Sequence, residues 1–488
     1  MKFGGNAVAS IERIRYIARD IIARYRESVT PTNYSDGSLN QNQNQNENEN
    51  ENQIVVVVSA IKGVTDDLIQ VCNSIIRGES SKVDGIIHSI GERHKNIASD
   101  LCSNASYTTE LSSIIDALIK EMNDLLKGMM LLNEVTPRSR DYLLSFGERL
   151  MAPILCYALK DIGIKAEHLT GKDAGIVTDS NYGDARPLMD TTRLRVRHVI
   201  MPMLEQGIVP VVTGFIGADQ HGNITTLGRG GSDYTATIIA SCIDGDEIML
   251  WTDVDGLMTA DPNIVKDAQV LREVSYAEAM EMALFGAKYL HPRALEPVLD
   301  KGIPIRIRNV FNTECQGTTI LKNPTAYLNK IVKAVTAIRN VSLIDVRGSS
   351  MVGSPGTAGR IFSVLGENRI NIIMISQGPS ESSISMVVRK SDLDKAVNAL
   401  ELNLLGRLIK GINVTDDAAI IAVVGSGMRG TKGVAARVFN AVADRGINVI
   451  MIAQGSSELN LAFVVEDRYA EDAVRALHDE FELDLINQ

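Results

Sequence analysis

Two periodicities alternate along the first two thirds of the chain. Ile11, Ile14, Ile17, Ile21 and Ile22 recur at helical spacing, and residues 54–60 (IVVVVSA) form a continuous apolar run typical of a buried strand. Between them, residues 40–53 (NQNQNQNENENENQ) carry no apolar side chain and cannot offset the entropy of ordering, so about 33–53 is expected to be a disordered insert between a helix and a strand. Further apolar runs at 208–217 (IVPVVTGFIG) and 247–254 (EIMLWTDV) are strand-like, and the stretch 105–160 is helical in pattern. Strands that are apolar on both faces, alternating with helices, predict an α/β fold: a mostly parallel sheet covered on both sides. Such sheets bind ligands beyond the carboxyl ends of their strands, which places Ser59, Thr213-Gly214 and Thr252-Asp253 at a site.

The last third repeats itself. GSSMVGSPGTAGRIF (348–362) matches GSGMRGTKGVAARVF (425–439), and INIIMISQGPSES (370–382) matches INVIMIAQGSSEL (447–459), at a constant offset of 77 residues. Each copy has the order strand, Gly-rich turn, helix, strand, strand, helix, which is a ferredoxin-like βαββαβ unit. Neither copy holds an acid/base cluster, so both are expected to be binding modules. Gly425-Ser-Gly-Met-Arg-Gly430 spells GxGxxG, but the next strand does not end in the acidic residue a dinucleotide site needs, and the first copy has Ser350 instead of a glycine. Nor is Gly430-Thr431-Lys432 a phosphate loop, because Lys and Thr stand in the wrong order.

Length and charge narrow the class. At 488 residues the chain exceeds a single core. Its net charge of −11, with no basic tract, argues against nucleic acid, and no run is long enough for a membrane span. The five cysteines are scattered without metal spacing, as free thiols in a reducing cytoplasm would be.

Two stretches concentrate the chemistry. In TTLGRGGSDYTATIIA (225–240) a strand runs into Gly228-Arg229-Gly230-Gly231, with a helix expected from about Tyr234. Glycines let backbone donors approach a ligand, the helix start attracts an anion, and Arg229 adds a bidentate donor. Ser232 or Asp233 is equally suited to cap that helix. In TPRSRDYLLSFGERLMAPIL (136–155), Thr136-Pro137 starts a helix whose buried side carries Leu143, Leu144, Leu150 and Ile154. Glu148 lies close to that side, where an unpaired carboxylate is costly; the alternative is a surface glutamate paired with Arg149 or Arg140.

KFGG, VVVVSA, SRDYLLSFGERL, PVVTGFIG, TTLGRGGSD, WTDVDG, FGAKYLHP and the paired repeats, in this order, resemble the aspartate kinases of the amino-acid kinase family, whose C-terminal repeats are ACT domains. The resemblance covers nearly the whole chain apart from the Asn/Gln insert. It implies a catalytic three-layer α/β sandwich over 1–325, ACT domains over 326–415 and 416–488, and an interleaved pair in which the second unit is inserted within the first. The reaction implied is ATP plus L-aspartate to ADP plus 4-phospho-L-aspartate, the first step towards lysine, threonine and methionine. Lys2 would stabilise the transferring phosphoryl group, with Phe3, Gly4, Gly5, Gly230 and Gly231 around the phosphates. Ser59 and Thr65 would lie near the aspartate and the phosphates, Glu148 would receive the α-amino group of aspartate, and Arg229 and Ser232 would grip its carboxylates. Asp233 would organise Mg²⁺, indirectly or through ATP, and the reacting groups. Thr252 and Asp253 match the adenosine side, and Lys288 a phosphate contact.

The resemblance also implies feedback by an amino acid bound between ACT domains of a homodimer or larger oligomer. The candidates are Met351, Gly356, Asn371 and Gln377 in one copy, and Met428, Asn448 and Gln454 in the other. The chain is more similar to threonine-responsive members than to lysine-responsive ones. It departs from the family at Asn6-Ala7, where two hydroxyls are usual, and at Met258 and Asn263, where Tyr and Arg are usual near the nucleotide; weaker ATP binding is expected. Several residues of a central strand precede the lysine in the family, so the resemblance implies a start upstream of Met1. Rival readings are a sibling kinase acting on another carboxylate, a catalytically weak amino-acid sensor, and a dehydrogenase resting on the GxGxxG match alone.

Overall fold

The structure, a computed structural model, describes residues 1–28, 51–286, 290–327, 330–348, 353–378 and 382–487. Lys288, Met351 and most of the Asn/Gln insert lie outside the described residues. The chain forms two compact units, Met1–Asp255 with Arg293–Lys322, and Gly256–Pro292 with Asn323–Gln488. Residues 256–292 group with the C-terminal unit, and the chain's last crossing between the units falls after Lys322.

In the first unit the strands Ala166–Leu169, Val209–Thr213, Val56–Val58, Lys2–Phe3, Ile248–Thr252, Ile305–Asn309 and Thr318–Leu321 lie side by side in that order. All are parallel except the last. Val56, Val57 and Val58 are all solvent-free although successive side chains point to opposite faces, so both faces of the sheet are covered. Phe3 stacks on Trp251 with ring centroids 6.2 Å apart, joining two central strands. The stretch 105–160 divides into the helices Ala105–Leu132, Pro137–Leu144 and Phe146–Asp161. Asn133 ends the first in the left-handed conformation, and the Thr136 hydroxyl caps the second by accepting from Ser139 N at 3.0 Å. A small separate sheet, Val177–Thr178, Ile216–Asp219 and Ile224–Thr226, carries the chain into the Gly228–Gly231 loop.

The second unit holds a six-stranded antiparallel sheet in the order Ile372–Gln377, Ser383–Arg389, Ala334–Arg347, Gly411–Val424, Asn460–Glu466, Met451–Ala453. The two 14-residue central strands pair along nearly their whole length, Ala334 with Val424 and Arg347 with Gly411. The second half of the first strand belongs to the first repeat, whose fourth strand is the opening of Gly411–Val424. The second repeat takes its fourth strand from Ala334–Ile338, which precedes the first repeat in the chain. The expected nesting is therefore reversed: the first repeat is inserted within the second. The reason lies in the repeat itself, because Ala334–Ile338 stands 77 residues before the strand segment 411–415, and each repeat lends its leading segment to the other. The same offset relates Asn340 and Asp417, both at positive φ where the two strands bend. It also relates two ion pairs with charges exchanged: Arg339–Asp467 at 2.6 Å and Asp416–Lys390 at 3.3 Å.

The structure explains the GSGMRG turn. A Cβ on Gly425 or Gly427 would collide with the backbone of Ile331 or Lys330, so these glycines let the turn pack on the segment 330–333. Ser426 N donates to Glu278 Oε1 at 2.8 Å, and Glu278 forms a buried ion pair with Lys333 at 3.0 Å. The equivalent of Gly427 in the first copy, Ser350, lies outside the described residues.

Candidate active site

Four parallel strands deliver their carboxyl ends to one place. Lys2–Phe3 leads into Gly4-Gly5, Val56–Val58 into Ser59, Val209–Thr213 into Gly214, and Ile248–Thr252 into Asp253. The loops touch closely because three glycines lack a Cβ. One on Gly5 would lie 2.6 Å from Ala60 O, one on Gly147 2.7 Å from Ala60 Cβ, and one on Gly214 2.6 Å from Ser232 Cβ. Gly4 N donates to Trp251 O at 3.1 Å, Lys62 N to Gly5 O at 3.2 Å, and Ser59 N to Phe3 O at 3.1 Å, pinning the first loop on both sides.

The helix after the Gly-rich loop starts at Gly231 with Gly230 at φ +72° as its cap, three residues earlier than expected. Ser232 and Asp233 therefore do not cap it; they sit in its first turn with side chains available for other partners. Asp233 pairs with Lys2 at 2.6 Å, and both side chains are largely shielded. A lysine on the central strand and an aspartate at a helix start, 231 residues apart in the chain, thus form one charged pair beside free helix-terminal donors. Arg229 stands exposed on the loop, Ser59 is half-buried, and Thr65 lies in the first turn of the helix Val64–Ile76.

Glu148 is the least comfortable residue of the unit. It is buried; Oε1 accepts from Ala60 N at 3.1 Å, and Oε2 has no partner. Arg149 is not that partner, since it binds Glu121 at 2.7 Å. Burial pushes the Glu148 carboxyl up to about 8, against the smaller pull of the Ala60 amide and the Lys2 ammonium. A buried carboxylate with one unmet oxygen, close enough to Lys2 to feel its charge, is ready to take a cation.

Among the departures, Ala7 is buried, whereas the Asn6 amide donates to Asp253 Oδ2 and ties the first loop to the end of the strand Ile248–Thr252. In the second unit Met258 pairs with Val270, and Asn263 folds back on Asp261 at 2.9 Å. The sequence reading passed over Asp141, which is fully buried and accepts three hydrogen bonds. Its signal was the spacing Asp141, Leu144, Glu148, which puts two carboxylates and a core leucine at helical spacing. No cluster of three metal-binding side chains occurs among the described residues, and the carboxylate beside Lys2 is that of Asp233.

Of the regulatory candidates, Gly356 at φ +84° precedes the helix Thr357–Glu367. Asn371 precedes the strand Ile372–Gln377 and Gln377 ends it; both are exposed, as are Asn448 and Gln454 in the second copy. Met428 is buried in its turn.

The comparisons agree with this geometry. Residues 1–309 match the amino acid kinase family, and residues 344–404 and 421–481 each match an ACT domain. The chain is 33% identical to aspartokinase 1, chloroplastic, of Arabidopsis thaliana over 99% of this chain and 79% of that protein. It is equally similar to the bifunctional aspartokinase/homoserine dehydrogenase 1, chloroplastic, of Zea mays, but spans only 50% of its length. Among solved structures it resembles E. coli aspartokinase III in complex with aspartate and ADP (R-state), with a TM-score of 0.80 and 26% identity over 98% of both chains. The T-state complex of that enzyme with lysine and aspartate gives a TM-score of 0.74. The chain belongs to the amino acid kinase family, and within it to the aspartokinases with tandem ACT domains.

Proposed function

We propose that the chain transfers the γ-phosphoryl group of ATP to the side-chain carboxylate of L-aspartate, giving 4-phospho-L-aspartate and ADP. The observation that carries this reading is Glu148, a buried carboxylate with an unmet oxygen, held by Ala60 N beside the strand ends and close enough to Lys2 to feel its charge. An amino acid brings an ammonium for Glu148, while Arg229, Ser232 and the donors at the start of the helix Gly231–Ile243 suit its carboxylates. The acceptor is already ionised at neutral pH, so the reaction needs no general base. It needs cationic groups and positioned donors to bring two anions together. Lys2 supplies such a charge, and Asp233 holds its ammonium in place. Mg²⁺ bound to ATP would neutralise further phosphate charge. Thr252 and Asp253 are assigned to the adenosine side, Thr65 to the phosphate side, and Lys288 to a phosphate contact.

We assign feedback control to the ACT repeats, with threonine favoured over lysine, and expect a homodimer or larger oligomer. The solved T-state relative binds lysine, which supports an amino acid as effector. No described helix is long and apolar enough to cross a membrane. Cytoplasm is our proposed compartment on the free thiols, although the plant relatives are named as chloroplastic.

The test is ADP release from Mg-ATP with L-aspartate, with N-acetylglutamate as the alternative acceptor, then with added threonine or lysine. Aspartate-dependent turnover supports the reading. Turnover with N-acetylglutamate alone would transfer the protein to a sibling specificity, and binding of an amino acid without turnover would make it a sensor.

A further inference from the structure

Asp141 lies in the helix Pro137–Leu144, one junction residue, Ser145, before the helix that carries Glu148. Its carboxylate is fully buried, and its partners come from segments 42 and 85 residues further along the chain. Oδ2 accepts from Thr226 N at 2.7 Å and from Gly183 N at 2.9 Å, and Oδ1 accepts from Thr226 Oγ1 at 3.0 Å. Thr226 ends the strand that runs through Leu227 and Gly228 to Arg229. Gly183 precedes Asp184, which binds Arg293, and Arg293 also donates to Leu227 O at 3.3 Å. Gly228 is at φ +74°, and a Cβ there would lie 2.6 Å from Asp184 Oδ1, so the loop turns against this same cluster. One buried carboxylate therefore joins the wall that presents Glu148 to the wall that presents Arg229.

We propose that Asp141 is a positioning residue that sets the width of the amino-acid pocket, and thereby selects a four-carbon over a five-carbon acidic amino acid. The inference rests on the aspartate reading above. The ammonium of the substrate meets Glu148 and its carboxylates meet the Gly228–Ser232 loop, so the span between the walls must equal a length fixed by covalent bonds. A rigid span rejects one extra methylene. A sprung one admits it, and discrimination of this kind is worth about 10–200-fold. Asp141 suits the task because all three of its partners are donors. Two of them are backbone N–H groups that can only donate, whereas the Thr226 hydroxyl can turn to accept from an amide, so Asp141→Asn removes the charge while keeping all three contacts possible.

The experiment measures kcat and KM for L-aspartate, L-glutamate and ATP in the wild type and in Thr226→Val, Thr226→Ser and Asp141→Asn. Thr226→Val removes one of the three hydrogen bonds and keeps the volume, so it remains informative if Asp141→Asn does not fold. Thr226→Val is expected to raise KM for aspartate at least fivefold, leave KM for ATP within twofold, and raise the glutamate-to-aspartate ratio of kcat/KM about tenfold. Thr226→Ser retains the hydroxyl and should restore the wild-type ratio. If KM for aspartate and ATP rise together, or the ratio stays constant in a folded variant, the strut is overturned while the aspartate reading stands. If the wild type releases no ADP with aspartate, both fall.

Discussion

Binding of L-aspartate at pH 7 is expected to release close to one proton, and that proton comes from Glu148. Its carboxyl is raised from an ordinary 4.5 to about 8 by burial. Roughly nine tenths of the free molecules then carry the proton at pH 7. The substrate ammonium meets the unpartnered Oε2 and favours the charged form, so the pair forms only as the proton leaves. Titration calorimetry in buffers of different ionisation enthalpy reads this directly: about 0.9 proton at pH 7, about 0.5 at pH 8. Glu148→Gln should release none. Losing a charged partner in a buried site costs about 3 kcal/mol, but at pH 7 the wild type spends about 1.4 kcal/mol on deprotonation. The variant should therefore bind aspartate only about fifteenfold more weakly at pH 7, and about a hundredfold more weakly at pH 9. Stability follows the same linkage. A carboxyl raised in the folded state favours the fold below 4.5, and that contribution is lost as pH rises through about 8, so aspartate should stabilise the protein most at alkaline pH. Heats independent of buffer in the wild type, or a wild-type-to-variant affinity ratio that does not change with pH, would refute the argument.

Three further outcomes are expected. Gly427→Ala should lower stability by about 1–3 kcal/mol, because its methyl meets the Lys330 backbone, whereas Gly430→Ala meets open space and costs about 1 kcal/mol for its φ of +68°; chemical denaturation should rank them so. Neither should affect nucleotide binding, since the GxGxxG turn packs on the segment 330–333. Lys333→Met leaves Glu278 charged and buried and should cost about 3–5 kcal/mol, with much of it recovered on adding Glu278→Gln; additive losses in that double variant would count against a coupled pair. His94 is buried, with Nδ1 on Ile90 O at 2.8 Å, and burial lowers it from 6.5 to about 4. Its contribution to stability is present above 6.5 and lost as pH falls towards 4, so a melting curve of His94→Leu should decline less between pH 7 and pH 5 than that of the wild type.

Much was legible in the chain alone. The doubly apolar runs around Val57, Val211 and Leu250 determined a covered parallel sheet, because burial on both faces leaves no polar alternation. The ends of those runs put Ser59, Thr213-Gly214 and Thr252-Asp253 at the carboxyl ends of strands, which is where these positions lie in the structure. The 77-residue offset determined that the C-terminal part is a duplicated βαββαβ unit. These signals are local or periodic, so they survive in one dimension.

What the tertiary structure decided depends on which distant segment meets which. Glu148 could have been a surface partner of Arg149 until Glu121 was seen to hold that arginine and Ala60 to hold Glu148. Ser232 and Asp233 were equally good caps until Gly230 took that place and Lys2 met Asp233. The glycines of GSGMRG have their reason in the backbone of residues 330–331, almost a hundred positions away in the chain. The order of nesting between the repeats turned on which leading segment, 334–338 or 411–415, crosses to which partner. Spacing along an element is encoded by neighbouring residues. The partner of a buried charge, and so its protonation and chemistry, is set by remote segments brought within 3 Å.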